Sequence, residues 1–241
     1  MSVESTSAAG TFPAGSGRRA ETPVPTQGNT ASAQAGADPA ALAQSNTASA
    51  QAGTVPAFAD PAALGLGAFA MTTFVLSAIN AGLIPKADEP VVLGLALFYG
   101  GIAQFGAGIW EFANRNVFGA TAFCSYGAFW LSFWFLSQFT AANLPAADAG
   151  KAVGLYLLGW AIFTAYMTIA SWRVSMGVFA VFVFLTLTFI AMFIGAFTAA
   201  SGLTMLGGWL GIITALIAWY CSLAVVANST FKRTVLSVGR R

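Results

Sequence analysis

The side chains able to do chemistry in this chain are few, and they lie inside long apolar runs. In VVLGLALFYGGIAQFGAGIWEF (91–112), Gly100, Gln104, Ala107 and Glu111 recur at spacings of four, three and four. That spacing places them on one face of a helix. A carboxylate inside such a helix is costly unless it faces protein or water, so Glu111 is a candidate functional residue. Close helix packing and a pair with Arg115 four residues on are the plain alternatives. Phe69, Thr73, Leu76 and Asn80 share a face in the preceding run, with Thr72 and Ser77 beside it. Asn80 offers two donors and an acceptor, and it could equally bond a neighbouring helix. Ser125 and Tyr126 lie in the next run, followed by Phe129, Trp130 and Trp134. Thr164, Thr168, Thr186, Thr188 and Thr214 complete the inventory; a helical Thr hydroxyl commonly bonds its own backbone. These groups can replace water around a small solute. The chain has no His, which removes His–metal sites, Ser-His-Asp triads and His proton shuttles. Cys124 and Cys221 sit in apolar runs and read as packed side chains.

The elements that must position these residues follow from composition. The 241 residues are 57% hydrophobic and 7% charged, against roughly 25% charged in a soluble domain. Mean hydropathy is +0.75. Apolar runs cover about 62–84, 91–112, 118–139, 152–171, 174–198 and 203–227. Each has the roughly 20 residues that a helix needs to cross the hydrocarbon core. The fold class expected is an all-α membrane protein with six transmembrane helices per protomer, since helices satisfy their own backbone in lipid. Residues 1–58 differ: they are rich in Ala, Ser, Thr, Gly, Pro and Gln, and NTASAQAG (29–36, 46–53) and ADPAAL (37–42, 59–64) each occur twice. This stretch reads as a disordered arm without a core, and no basic stretch precedes an apolar one in the manner of a secretory leader. Residues 59–230 form the expected transport domain and 231–241 a basic tail. The tail is expected to be solvated, with contact to anionic headgroups the other reading. Arg115, Arg173, Lys232, Arg233, Arg240 and Arg241 fall on the side of both termini, and Lys86 and Lys151 on the other. That bias predicts cytoplasmic termini.

What is missing narrows the function. There is no acid ring, Arg ladder or TVGYG filter, no phosphate-cradling Gly-rich loop, and no paired-carboxylate or metal-ligand cluster. Net charge is +2, which gives no basis for nucleic-acid binding. No enzyme activity, metal or cofactor is expected.

The motifs DPAALGLGAFAMTTFVLSAINAG (60–82), FYGGIAQFGAGIWEF (98–112) and FGATAFCSYGAFW (118–130) resemble the acetate uptake transporter family. This is the succinate–acetate permease group with its fungal ammonia-export and glyoxylate-pathway relatives. The resemblance covers about 59–235. It implies six-helix protomers assembled as a homo-hexamer in the plasma membrane, each with its own path for acetate and in some members succinate. It implies a hydrophobic constriction of Phe69, Tyr126 and Leu185, and a residue linked to substrate size at Ala218. Gln104 and Glu111 fall on the family's Gly-Gly-Ile-Ala-Gln and Ala-Gly-x-x-Glu positions. The family's Asn-Pro-Ala-Pro-Leu-Gly-Leu reads here Asp60, Pro61, Ala62, Ala63, Leu64, Gly65, Leu66. The expected pathway residues are thus Phe69, Thr72, Thr73, Asn80, Gln104, Glu111, Ser125, Tyr126, Leu185 and Ala218. Acetate would pass by a proton-linked or a channel-like mechanism. A channel for another small solute such as ammonium, or a structural or signalling membrane protein, are the alternatives.

Overall fold

The computed structural model describes residues 59–239; the arm expected over 1–58 lies outside the described residues. Pro61 and Asp60 start the first helix, α1 (Ala62–Asn80), where Asp60 Oδ1 accepts from Ala62 N at 2.9 Å. Gly82, at φ 80°, stops it. After a short 3-10 turn (Lys86–Asp88), α2 (Val91–Leu97) continues through a π turn (Phe98–Ala103) into α3 (Gln104–Ala113). α4 (Val117–Phe135) starts on Asn116, whose Oδ1 accepts from Gly119 N at 3.0 Å, and it ends in a second π turn (Leu136–Thr140). α5 (Ala146–Ser171) follows Pro145, whose ring suits a helix start. It begins earlier than its apolar run because its first two turns carry Asp148 and Lys151 among alanines and a glycine. α6 (Met176–Thr198) is capped by Ser175, which accepts from Val178 N at 3.1 Å. α7 (Ser201–Phe231) outlasts its apolar run through Asn228, Ser229 and Thr230.

Among the described residues five segments are long and apolar enough to cross a membrane: Ala62–Asn80, Lys86–Ala113, Ala146–Ser171, Met176–Thr198 and Ser201–Phe231. The remaining expected run, the third at 118–139, corresponds to α4, which has 19 residues. Thr121, Ser125, Tyr126 and Ser132 dilute its apolar character.

α1 packs against α7, α7 against α6, and α6 against α5; α3 packs against α4, and α1 also meets α3 and the first π turn. α3 and α4 approach closely at Gly127, where a Cβ would lie 2.7 Å from Phe105 N and Cβ. Small residues serve such crossings because they let backbones touch. Phe69, Tyr126, Phe129, Phe182, Leu185 and Phe189 meet in one buried core. Large apolar side chains also cover the outside: Phe98, Val117 and Ile169 are 66%, 73% and 78% exposed. An outer surface of this kind suits lipid rather than water.

Residues 231–235 of the tail are exposed, Lys232 and Arg233 among them, while its backbone turns back onto α7. The chain reverses at Lys232, at φ 55°, and Val235 N and Leu236 N donate to Asn228 Oδ1 at 2.6 and 3.0 Å.

Candidate functional site

Three helices bring Phe69 (α1), Tyr126 (α4) and Leu185 (α6) to one level, where they are 5%, 3% and 4% exposed. The Phe69 and Tyr126 ring centroids lie 5.6 Å apart with the planes tilted by 52°. Tyr126 is fixed from behind by Trp160, Phe163 and Phe182. Its hydroxyl lies 2.9 Å from Thr164 Oγ1. Thr164 itself donates to Trp160 O at 2.7 Å, so the Tyr126 O–H is the donor of the pair.

A cavity lies on each side of this collar, and all three residues line both. The first, about 80 Å³, is bounded by Ala62, Leu66, Gln104, Glu111, Asn116, Phe118, Gly119, Val174, Val178 and Val181 among others. The second, about 60 Å³, is bounded by Thr73, Leu76, Ser77, Asn80, Phe129, Trp130, Leu157, Thr188, Phe189, Met192 and Gly207. A water occupies about 30 Å³, so each holds a solute of only a few heavy atoms. Among the described residues no Lys or Arg lines either cavity, and Glu111 is the one carboxyl there.

Several polar atoms here have no protein partner. Gln104 is 1% exposed and neither its Nε2 nor its Oε1 is bonded. Glu111, also 1% exposed, accepts from Asn116 Nδ2 at 2.9 Å through Oε2, while Oε1 is unpaired. In the second cavity Thr73 Oγ1 and Trp130 Nε1 are unpaired. Native interiors pair nearly all buried polar groups, so this concentration of unpaired atoms beside two cavities marks a candidate site.

The expected residues divide accordingly. Phe69, Thr73, Asn80, Gln104, Glu111, Tyr126 and Leu185 line one or both cavities. Thr72, Ser125 and Ala218 line neither. Thr72 bonds its own helix, donating to Ala68 O at 2.9 Å, and it packs where a Cβ on Gly100 would sit. Ser125 is half-buried. Ala218 is fully buried in the packed core. The suggested Glu111–Arg115 pair is not formed. Arg115 lies past the end of α3 at φ 57°, so it leaves the helical row that would bring the two together. Asn116 takes that place. Its signal in the sequence is an Asn directly ahead of an apolar run, which is a helix-cap pattern. Trp130 lines the second cavity, and the Thr164 hydroxyl bonds both its own helix and Tyr126.

Over the described residues, an all-helical fold with an apolar exterior and membrane-length helices is that of an integral membrane protein. Residues 43–239 match the GPR1/FUN34/yaaH family, and the chain belongs to that family. It is 46% identical over 177 residues to ammonia transport outward protein 2 of Saccharomyces cerevisiae, covering 71% of this chain and 62% of that protein. It is 37% identical over 181 residues to the succinate-acetate/proton symporter SatP of Escherichia coli, covering 75% of this chain and 95% of that protein. The structure of the bacterial acetate channel SatP superposes with a TM-score of 0.71 at 36% identity, covering 76% of this chain and 99% of that one. The match thus spans less than two thirds of the fungal relative and nearly all of the bacterial ones.

Proposed function

We propose that the protein passes acetate and similar short carboxylic acids across a membrane, through the two cavities and the Phe69–Tyr126–Leu185 collar between them. The observation that carries this reading is that the same three residues wall both cavities. The collar is a gate: with each residue at most 5% exposed, a side chain must swing aside for a solute to pass. The apolar walls accept a methyl group. Gln104 on one side and Thr73, Asn80 and Trp130 on the other replace water around the carboxyl group. The acetate proteins among the relatives support the choice of solute.

No basic residue lines the path, so a bare carboxylate would lose hydration without gaining a counter-ion, which is expensive. The solute therefore crosses as the acid, or as the anion with a proton. In this reading α4 also crosses the membrane, giving six spans. Both termini are cytoplasmic, so the cavity holding Glu111 opens inward. The protein sits in the plasma membrane as a hexamer with one path per protomer, as the family resemblance implies.

The unpaired Glu111 Oε1, together with the ammonia transport relative, favours ammonium as a second reading. Labelled-acetate uptake into proteoliposomes, with and without an imposed pH gradient and alongside a labelled ammonium analogue, tests both. Saturable acetate uptake supports the proposal. Analogue uptake without acetate uptake replaces it with the second reading. Acetate flux that ignores the gradient at equal total acetate removes obligatory proton coupling.

A further inference from the structure

The end of the chain is tied to the helix that carries one wall of the path. After Lys232 the backbone runs back along α7. Asn228 grips it three times: Oδ1 accepts from Val235 N and Leu236 N, and Nδ2 donates to Leu236 O at 2.8 Å. Tyr220 Oη donates to Ser237 O at 2.7 Å. Then Met176 N donates to Gly239 O and Gly177 N to Val238 O, each at 3.0 Å.

Those last two amides begin α6. A helix leaves its first N–H groups without internal partners. Here Ser175 Oγ takes Val178 N, and the returning strand takes the two ahead of it. Gly177 lets the start of α6 sit close against α7: a Cβ there would lie 2.7 Å from Cys221 Sγ, and at 3.6 Å it would only touch Val238 Cβ. The tied end carries Val174 and Val178, and α6 further along carries Val181, Phe182 and Leu185; all five line the first cavity. Leu185 lies nine residues beyond Met176, roughly 14 Å along a rigid helix.

We infer that residues 234–239 form a latch, held by Asn228 and Tyr220, that fixes the start of α6 and so holds Leu185 in the closed collar. Asn228 is a positioning residue: it lines neither cavity and acts on the gate through the backbone of the strand. The observation behind the direction is that the latch is engaged in a structure whose collar is closed. Releasing it frees α6 to shift, which opens the collar more often and loosens its size limit. This rests on the transport reading above.

The test is labelled-acetate and labelled-propionate flux in proteoliposomes of the full chain, comparing wild type with Asn228→Leu and Tyr220→Phe. Loss of bonds of this kind is expected to raise acetate flux about fivefold and to raise the propionate-to-acetate ratio. A merely structural role would lower both fluxes together and leave the ratio alone. A second variant works without loss of the strand. Val238 and Cys221 both border the space that a Cβ on Gly177 would fill, so Val238→Cys offers Cys221 a partner thiol that oxidation would join to it and reduction would free. Oxidised protein is expected to conduct more slowly than the same sample after reduction. Failure of the staple to form, or equal flux before and after reduction, overturns the latch. So do unchanged ratios in both of the other variants. Absence of acetate flux in the wild type instead overturns the transport reading itself.

Discussion

The Tyr126 hydroxyl donates to Thr164 Oγ1 at 2.9 Å, and the Thr164 hydroxyl donates in turn to Trp160 O. One wall of the collar is therefore pinned to α5 by a two-step chain. The bonding is unequal, and the inequality is testable. Tyr126→Phe leaves Thr164 still bonded to Trp160 O, so the cost is about 1 kcal/mol. Thr164→Val strands a buried hydroxyl on Tyr126 and costs about 1–3 kcal/mol. Thermal unfolding in detergent should show the larger loss for Thr164→Val; the reverse order contradicts the assigned direction of the bond.

In the proposed path the buried Gln104 serves the solute rather than the fold, and this is testable. Both of its amide atoms are unpaired. Gln104→Leu removes that cost and should raise stability by about 1 kcal/mol or more. Acetate uptake should meanwhile fall at least about tenfold, as expected where activity requires a destabilised site. A less stable variant with full uptake would show that Gln104 is a packing residue.

Leu185 faces both cavities, so trimming it should relax the size limit. Leu185→Val is expected to raise the propionate-to-acetate flux ratio by about tenfold, the lower end of what one methylene is worth in an apolar pocket. An unchanged ratio, measured on folded protein, would place Leu185 outside the solute's path.

The absence of basic residues along the path fixes the sign of the pH response. A carboxylic acid of pKa about 4.3 is protonated below that value. Each unit of acidification from neutral pH therefore raises the neutral form about tenfold. Uptake at fixed total acetate should climb as the outer pH falls from 7 towards 5. A flat profile would indicate that the bare anion is carried.

Much of the site is legible in the sequence because helical spacing is a strong constraint in an apolar segment. Phe69, Thr73, Leu76 and Asn80 were read as one face, and all four line the second cavity. Gln104 and Glu111 likewise share the first. The reading slips at Gly100. A π turn over Phe98–Ala103 alters the residue count of one turn, so the face of α3 is offset from that of α2. Gly100 accordingly packs on Thr72 and Trp130 and lines neither cavity. Spacing also cannot say whether a Thr bonds itself or a neighbour. That choice separates Thr72, bonded to its own helix, from Thr73, left unpaired. The returning strand at 234–239 escaped for another reason. It is held by backbone amides and the side chains of Asn228 and Tyr220, and it has no periodicity to read.

The most direct measurement is labelled-acetate uptake by proteoliposomes carrying Leu185→Trp, with folding confirmed by thermal unfolding and size-exclusion chromatography. Filling the collar should bring uptake down to that of empty vesicles, while the wild type shows saturable flux. Uptake at the wild-type rate through the filled collar would mean that acetate does not travel between these two cavities.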